Sequence, residues 1–267
     1  MSDLPPNADS FDIASATSER QTPNPLRFRI IHEETDFLVL DKPAHLLMHP
    51  TKPGGPRTLW SELCELLAFE IENGGQVSLI NRLDRETSGL VLVAKNAQTA
   101  RELGRLVDHH RVDKFYVAII QGWPETDEFE VDQPLLRQGE KMPSKIWLKQ
   151  AIHPDGYPAK TKFAVSQRFE NRWGRFSLIH CQPITGRTHQ IRVHLSSLGF
   201  PLVGDKIYGP DENCYLEFIE TGWTPKLGEK LLLARHALHA TRLVFPFHRT
   251  DRSYESPLPA DLAGFIR

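Results

Sequence analysis

The chain has 267 residues, of which 40% are hydrophobic and 25% are charged. This length allows one large domain or two small ones, and this hydrophobic fraction is enough for a substantial core. The formal net charge of −2 argues against a protein that coats nucleic acid nonspecifically, because such domains are usually strongly basic. A local basic surface is compatible with this balance.

The spacing of the cysteines and the distribution of apolar residues indicate where in the cell the protein is located. Cys64, Cys181 and Cys214 lie far apart without a CxxC pair, so the sequence predicts neither a disulfide framework nor a zinc knuckle. This pattern fits a reducing compartment, and we expect a cytoplasmic protein. No stretch approaches the roughly 18 apolar residues of a membrane span, and the N-terminus lacks an apolar signal-peptide core. We therefore expect no membrane association.

The elements begin after an N-terminal tail. Residues 1–24 are rich in Pro, Ser, Asp and Asn and poor in large apolar groups, so a disordered tail is predicted there. Residues 25–267 are predicted to form one domain. Its first elements are strands at 28–31 and 37–40, which form a hairpin around a polar turn. After a loop rich in glycine and proline, Thr58 is predicted to cap the first helix.

The middle and end of the chain predict further strands and helices. Strands are predicted at 77–80 and 90–94, with a loop around Asp84 between them. Asn96 is the predicted N-cap of a second helix, and Thr188 that of a third. Later strands are predicted at 112–120, 162–167 and 176–181. Because strands and helices alternate without regular βαβ repeats, an α+β fold fits better than a doubly wound sheet.

The most informative segment is NRLDRETSG at residues 81–89. It places Asp84 between Arg82 and Arg85, whose guanidinium groups favour the carboxylate form and supply donors for phosphate. The turn residues that follow lead into a buried strand, so Asp84 lies on a loop anchored by a rigid element. The alternative interpretation is an ordinary surface ion pair, which is common and stabilises little.

This segment resembles the HRLDxxTSG signature of the RluA-type pseudouridine synthases. The matching residues are Arg82, Leu83, Asp84, Thr87, Ser88 and Gly89, whereas Asn81 occupies the position of the family's usual histidine. Other blocks match in the family's order: DKPA from Asp41, KFYVA from Lys114, GYPAKT from Gly156, TGRTHQIRVH from Thr185, Gly204-Asp205 and Leu238-His239-Ala240. The resemblance covers nearly the whole chain, from about residue 26 to residue 250.

The resemblance implies both a fold and a reaction. The fold would be a mixed, largely antiparallel central sheet with flanking helices and a cleft across it. The reaction would be isomerisation of uridine to pseudouridine in structured ribosomal or transfer RNA, with no metal or organic cofactor. Since only the predicted tail precedes residue 25, we expect no S4-type RNA-binding module, and target recognition would come from the catalytic domain, 25–267. We also expect a monomer.

The resemblance assigns three catalytic residues. It implies that Asp84 is the nucleophile and that Arg192 pairs with Asp84 and keeps it ionised. It implies that Tyr116 stacks on the target base, with its hydroxyl a candidate for handling the C5 proton. From the residues alone, the simpler interpretations are that Arg192 is a helix-surface residue paired with another acid and that Tyr116 is a core residue of its strand.

Further residues are expected to contact RNA. The resemblance implies that Arg82 enters the RNA helix where the target base leaves it, which offsets part of the cost of base extrusion. Arg187 and His189 are expected to contact phosphate or to shape their turn. The stretch 137–162 contains six bases and two acids, and it is either a phosphate contact or a solvated face.

Two other functions stay open from the sequence. One is an RNA-binding or RNA-folding factor that has lost catalysis, and the other is a metal-dependent hydrolase. His189 and His194 lie near Cys181 in the chain, but their spacing matches no zinc signature and places them on different helix faces, so we expect no metal site. Asp205 and Tyr208 are interpreted as structural residues.

Overall fold

The computed structural model describes residues 26–267, and the tail predicted for residues 1–24 lies outside this range. Ten strands form one sheet, and a further two form a small separate sheet. In chain order the strands are β1 (Arg29–Glu33), β2 (Phe37–Lys42), β3 (Ser78–Leu79), β4 (Ser88–Ala94), β5 (Asp113–Gln121), β6 (Glu128–Asp132), β7 (Leu135–Arg137), β8 (Gln150–Ile152), β9 (Lys160–Asn171), β10 (Gly174–Pro183), β11 (Leu238–Phe247) and β12 (Thr250–Glu255).

The large sheet is mixed and mostly antiparallel. Its order is β1-β2-β4-β11-β5-β10-β9-β6, with β3 paired to β4 and β12 paired to β11. Among the described strands, β4 and β11 form the one parallel pair, in which His239 lies opposite Ser88 and Ala240 opposite Gly89. The small sheet is the antiparallel pair β7–β8.

Seven α-helices of the described residues flank the sheet. They are α1 (Leu59–Leu66), α2 (Ala68–Glu72), α3 (Ala97–Asp108), α4 (Gln190–Ser197), α5 (Asn213–Thr221), α6 (Pro225–Leu231) and α7 (Ala260–Ile266). Together with the sheet they confirm the prediction of an α+β fold with a mixed, largely antiparallel sheet.

Strand β4 is buried along its whole length because both faces of the sheet are covered. Val91 and Val93 pack in the cluster that contains residues of α1 and α4. Leu90 and Leu92 point the other way, into the cluster that contains Leu103 of α3. A strand with apolar neighbours on both faces is a rigid support, so the loop that precedes β4 is held firmly at its C-terminal end.

Two of the three predicted helix caps are confirmed. Thr58 accepts a hydrogen bond from the amide of Ser61, and Asn96 accepts one from the amide of Thr99. The prediction that Thr188 caps the third helix is wrong, because α4 begins at Gln190 after His189, which has a left-handed backbone with φ of 57°. The amide oxygen of Gln190 instead accepts from the hydroxyl of Thr185 and the amide of Arg187, which fixes the turn before the helix.

Candidate active site

The Asp84 loop is attached to β4 by the side chain of Asn81. Its Nδ2 donates to the carbonyl of Leu90 over 3.1 Å, and its Oδ1 accepts from the amide of Leu92 over 2.8 Å. Strand β3 stops two residues earlier, so this amide side chain satisfies strand groups that no β3 residue reaches. Asn81, which stands where the family usually has histidine, is therefore a structural clamp for the loop.

The other end of the loop is attached to β11 and to the residues just before it. Thr87 Oγ1 lies 2.7 Å from His236 Nε2, and Ser88 Oγ lies 2.9 Å from His239 Nδ1. Gly89 has φ of 113°, and a Cβ there would lie 2.2 Å from the carbonyl oxygen of Ala240, so a side chain has no room. The Thr-Ser-Gly triplet of the signature thus fixes the loop to a strand about 150 residues further along the chain.

Asp84 is paired with Arg192, the residue that the resemblance implied. Arg192 Nη1 donates to Asp84 Oδ2 over 2.8 Å. The same guanidinium donates through Nε and Nη2 to both oxygens of Asp205, over 2.7 and 2.9 Å. Arg192 is buried, which excludes the alternative of a helix-surface arginine.

Asp205 has a larger part in the site than its sequence context indicated. Its carboxylate is fully buried and also accepts hydrogen bonds from the amides of Ile207 and Tyr208. These contacts leave Asp205 immobile, and its two bonds to Arg192 fix the plane of the guanidinium. No sequence pattern indicated that one arginine would bridge two aspartates.

The pKa of Asp84 reflects two opposing effects. Burial raises it, but His189 and Arg192 lower it more strongly, and the resulting value is about 2. Burial also lowers the pKa of His189, to about 4. The histidine is therefore neutral at pH 7, and the charge of Arg192 is what keeps Asp84 ionised there.

His189 lies between Asp84 and Tyr208. Its Nδ1 is 2.8 Å from the Tyr208 hydroxyl, and its Nε2 is 3.9 Å from Asp84 Oδ2. The amide of Gln150 already donates to that hydroxyl, which leaves the hydroxyl hydrogen free to donate to Nδ1. We therefore assign the ring proton to Nε2, where it faces Asp84.

Strand β5 supplies the opposite wall through Tyr116 and Lys114, which point to the same face. Tyr116 is buried, and both this burial and the negative charge of Asp84 raise its pKa, so the phenol is protonated at neutral pH. Burial lowers the pKa of Lys114, and its ammonium forms no ion pair with a carboxylate of residues 26–267. Lys114 is a cleft cation that sequence reasoning had left without a role.

Two exposed arginines, Arg82 and Arg187, lie at the rim. Within the part of the chain that the structure describes, neither forms an ion pair. Arg187 Nε donates to the carbonyl of Pro158. The stretch 137–162 differs, because four of its six bases are paired with acids: Arg137 with Glu140, Lys141 with Asp155, Lys149 with Glu212, and Lys160 with Glu130 and Asp132. Most of the charge of this stretch is therefore compensated, whereas Arg82 and Arg187 at the cleft have no carboxylate partner among residues 26–267.

The side chain of Lys42 also holds the Asp84 loop in place. Its buried ammonium donates to the carbonyls of Pro43, Leu46 and Arg85, the last of which follows Asp84 directly. Burial lowers the pKa of Lys42 to about 7. These contacts give the end of β2 a structural role in holding the loop.

All six residues singled out in the sequence line one cleft of about 250 Å³: Arg82, Asp84, Tyr116, Arg187, His189 and Arg192. Within residues 26–267, no group of three or more His, Cys, Asp or Glu side chains is arranged to hold a metal ion. In the same range, no helix has both the length and the apolar character needed to span a membrane.

Comparison with known proteins identifies the family. The family model described as RNA pseudouridylate synthase matches residues 36–197. A Nitrosomonas europaea protein named "Ribosomal large subunit pseudouridine synthase D" is 33% identical over 242 residues, which cover 90% of this chain and 64% of the relative. A Chloroflexus aurantiacus protein named "Uncharacterized RNA pseudouridine synthase" is 36% identical over 232 residues, which cover 85% of this chain and 65% of the relative. The chain therefore belongs to the RNA pseudouridylate synthase family and is of the RluA type.

Solved structures show the same fold. "Human RNA Pseudouridylate Synthase Domain Containing 1" superimposes with a TM-score of 0.65 at 24% identity, over 88% of this chain and 86% of that one. "Human RNA Pseudouridylate Synthase Domain Containing 4" gives a TM-score of 0.67 at 24% identity, over 88% and 90%. The chain itself spans just under two thirds of the length of the two sequence relatives named above.

Proposed function

We propose that this protein is an RNA pseudouridine synthase that isomerises a uridine of structured ribosomal or transfer RNA. The observation that carries the proposal is an ionised Asp84 held by Arg192 in a cleft whose other wall is Tyr116. Membership of the RNA pseudouridylate synthase family and the printed name of the Nitrosomonas europaea relative support the reaction class and an RNA substrate.

The chemistry needs a nucleophile and no redox step. The N1–C1′ bond breaks, the uracil rotates, and C5 bonds to C1′ while C5 loses a proton and N1 gains one. Asp84 acts as the nucleophile, and an aspartate can form a covalent intermediate without a metal or organic cofactor. Its low pKa supports this role, because a carboxylate ionised at pH 7 is ready to attack.

The other cleft residues bind and orient the substrate. Arg192 fixes the carboxylate of Asp84, and Tyr116 stacks on the target base. Because its phenol is protonated at rest, Tyr116 begins the reaction as a hydrogen-bond donor. Arg82 enters the RNA where the base leaves it, and Arg187 contacts phosphate at the rim. His189 shapes the turn before α4 and presents Nε2 to Asp84.

The proposal includes the organisation and location of the protein. Residues 25–267 form one catalytic domain, which a sheet containing strands from Arg29 to Glu255 supports. We propose a cytoplasmic location without membrane association, and the free thiols of Cys64, Cys181 and Cys214 support a reducing compartment. We propose a monomer, and light scattering of the purified protein tests this directly.

Tritium release from RNA labelled at C5 of uridine tests the reaction. The wild-type protein should release tritium from cellular RNA without added cofactor, and Asp84→Asn should abolish the release while keeping its hydrogen bond from Arg192. Asp251→Asn, an exposed position on β12, is the matched control and should keep full activity. Activity in Asp84→Asn would disprove the nucleophile, and RNA binding without tritium release by the wild type would favour an inactive binding factor. Cleavage of the RNA that stops when a chelator is added, without tritium release, would favour a metal-dependent hydrolase.

A further inference from the structure

The segment 133–159 forms an arm beside the cleft. It contains the β7–β8 sheet, and a bridge joins Leu135 to Tyr157 through two backbone hydrogen bonds of 2.8 and 2.9 Å. A Cβ at Gly156 would lie 2.6 to 2.8 Å from backbone atoms of Leu135, so the two segments are in close contact. The backbone at Tyr157 is therefore fixed, and its side chain is presented from a rigid position.

Tyr157 is exposed at the rim of the cleft. Its exposed fraction is 68%, so most of the side chain is open to a ligand. The guanidinium carbon of Arg187 lies 5.5 Å from the centre of this ring. Arg187 also lines the cleft, so the ring of Tyr157 lies next to one of the cleft residues.

The same arm carries a second exposed aromatic ring with an arginine beside it. Trp147 is 74% exposed, and the guanidinium carbon of Arg137 lies 3.6 Å from the centre of its ring. Arg137 is at the end of β7 opposite to Leu135, the residue that bridges to Tyr157. Two exposed aromatic rings, each with a guanidinium beside it, thus lie on the same arm.

This composition matches the chemistry of an unpaired RNA strand. Aromatic rings stack on bases of any sequence, and guanidinium groups bind phosphate and stack on planar groups. Arg187 has no carboxylate partner among residues 26–267, so its charge is available to a phosphate. A paired helix hides the faces of its bases, so exposed rings of this kind select single-stranded nucleotides.

We propose that the arm binds unpaired nucleotides next to the uridine in the cleft, with Tyr157 stacked on one base, Arg187 on its phosphate, and Trp147 extending the contact. This inference rests on the proposed function, because it makes the arm a continuation of the substrate site. It assigns to this arm the binding of single-stranded nucleotides beside the target, irrespective of their sequence.

Fluorescence anisotropy with two fluorescein-labelled RNA probes tests the inference. One probe is a single-stranded twelve-nucleotide oligouridylate, and the other is a twelve-base-pair duplex. Tyr157→Ala should weaken binding of the single strand about 5- to 100-fold, as loss of one stacked base does, and should leave duplex binding unchanged. Trp147→Ala should weaken the single strand in the same direction.

Two control variants make the result specific. Tyr157→Phe should bind the single strand as the wild type does, because it keeps the ring. Trp173 is also an exposed ring beside an arginine, Arg172. It lies next to the start of β10, whereas the cleft residue Pro183 lies at the other end of this strand. The Trp173→Ala variant should therefore bind the single strand as the wild type does. Unchanged single-strand binding in both Tyr157→Ala and Trp147→Ala, or equal loss in Tyr157→Phe and Tyr157→Ala, would overturn the inference.

The binding measurement is independent of catalysis. A wild-type protein that binds the oligouridylate through Tyr157 but releases no tritium from cellular RNA would contradict the proposed function alone. A wild-type protein that releases tritium, with single-strand binding unaffected by either arm substitution, would contradict the arm alone. Thermal unfolding of each variant shows whether weaker RNA binding is caused by unfolding of the protein.

Discussion

Asp205 holds Arg192 by two hydrogen bonds and leaves a third nitrogen of the guanidinium for Asp84. The buried carboxylate therefore sets the position of the arginine, and the arginine sets the position and the charge of the proposed nucleophile. Two carboxylates that share one guanidinium have different roles because of their surroundings. Asp205 is fully buried and bonded to backbone amides, whereas Asp84 opens to the cleft.

Asp205→Asn should impair both stability and catalysis. The substitution removes the negative charge of residue 205 that pairs with the buried Arg192. Breaking a buried ion pair costs about 3–5 kcal/mol of unfolding free energy. A displaced guanidinium should also lower kcat about 100-fold with little change in KM, because it misplaces Asp84. Urea unfolding and tritium release measure the two effects. Asp41→Asn, in the partly exposed pair with Arg29, is the control and should cost about 1 kcal/mol or less.

Acid should destabilise the protein through His189. Its pKa is lowered to about 4 in the folded protein, whereas an unfolded histidine titrates near about 6.5. At pH 7 the ring is mostly neutral in both states. As the pH decreases from about 6.5 to about 4, the unfolded chain binds a proton at this histidine more readily than the folded protein does, so the free energy of unfolding decreases. His189→Asn, which tolerates the left-handed backbone, should lose less stability between pH 7 and pH 4.5 than the wild type. Equal losses in urea unfolding at the two pH values would contradict this assignment.

Lys114→Gln should weaken RNA binding while sparing the fold. The ammonium is partly desolvated and has no carboxylate partner in residues 26–267, so its removal costs the folded protein little. If Lys114 contacts phosphate, the slope of log affinity against log salt should decrease by about 1. Filter binding at several salt concentrations measures this slope. Lys226→Gln, whose exposed ammonium is paired with Glu217, should leave the slope unchanged.

Asn81→Ala should release the loop from β4. It leaves the carbonyl of Leu90 and the amide of Leu92 without their side-chain partner, and each buried unsatisfied group costs about 1–3 kcal/mol. We expect a lower unfolding free energy together with a lower kcat. Asn73→Ala removes an exposed amide that bonds to a helix carbonyl, and it should change stability by less than about 0.5 kcal/mol. A normal kcat in Asn81→Ala would show that the loop keeps its position without the clamp.

The sequence predicts this site through local patterns and family signatures. Turn residues before a buried apolar strand correctly locate the Asp84 loop, and the family signature correctly pairs Asp84 with Arg192 across 108 residues. The role of Asp205 was not predictable, because a carboxylate that orients an arginine leaves no spacing rule in the sequence. Thr188 was wrongly predicted as a cap because the N-cap is His189, whose left-handed backbone leads into α4 without a side-chain cap hydrogen bond, while the Gln190 side chain fixes the preceding turn.

Tertiary contacts decide the remaining differences. The small sheet β7–β8 has short strands of three residues each, which produce no clear alternation of apolar and polar side chains. The basic stretch that contains it appears in the sequence as one charged surface. In the folded protein its charges are compensated by acids from several segments, such as Glu212 and Glu130, and only the three-dimensional arrangement reveals this.

The attachment of the Asp84 loop to β11 has a consequence for protein synthesis. Thr87 and Ser88 need His236 and His239, and Gly89 lies directly against Ala240. Translation proceeds from the N-terminus, so these partners leave the ribosome about 150 residues after the signature itself. A nascent chain that has emerged only as far as α6 therefore lacks the contacts that hold the Asp84 loop against β11. The loop that carries Asp84 can therefore reach its final position only after the residues up to Ala240 have emerged.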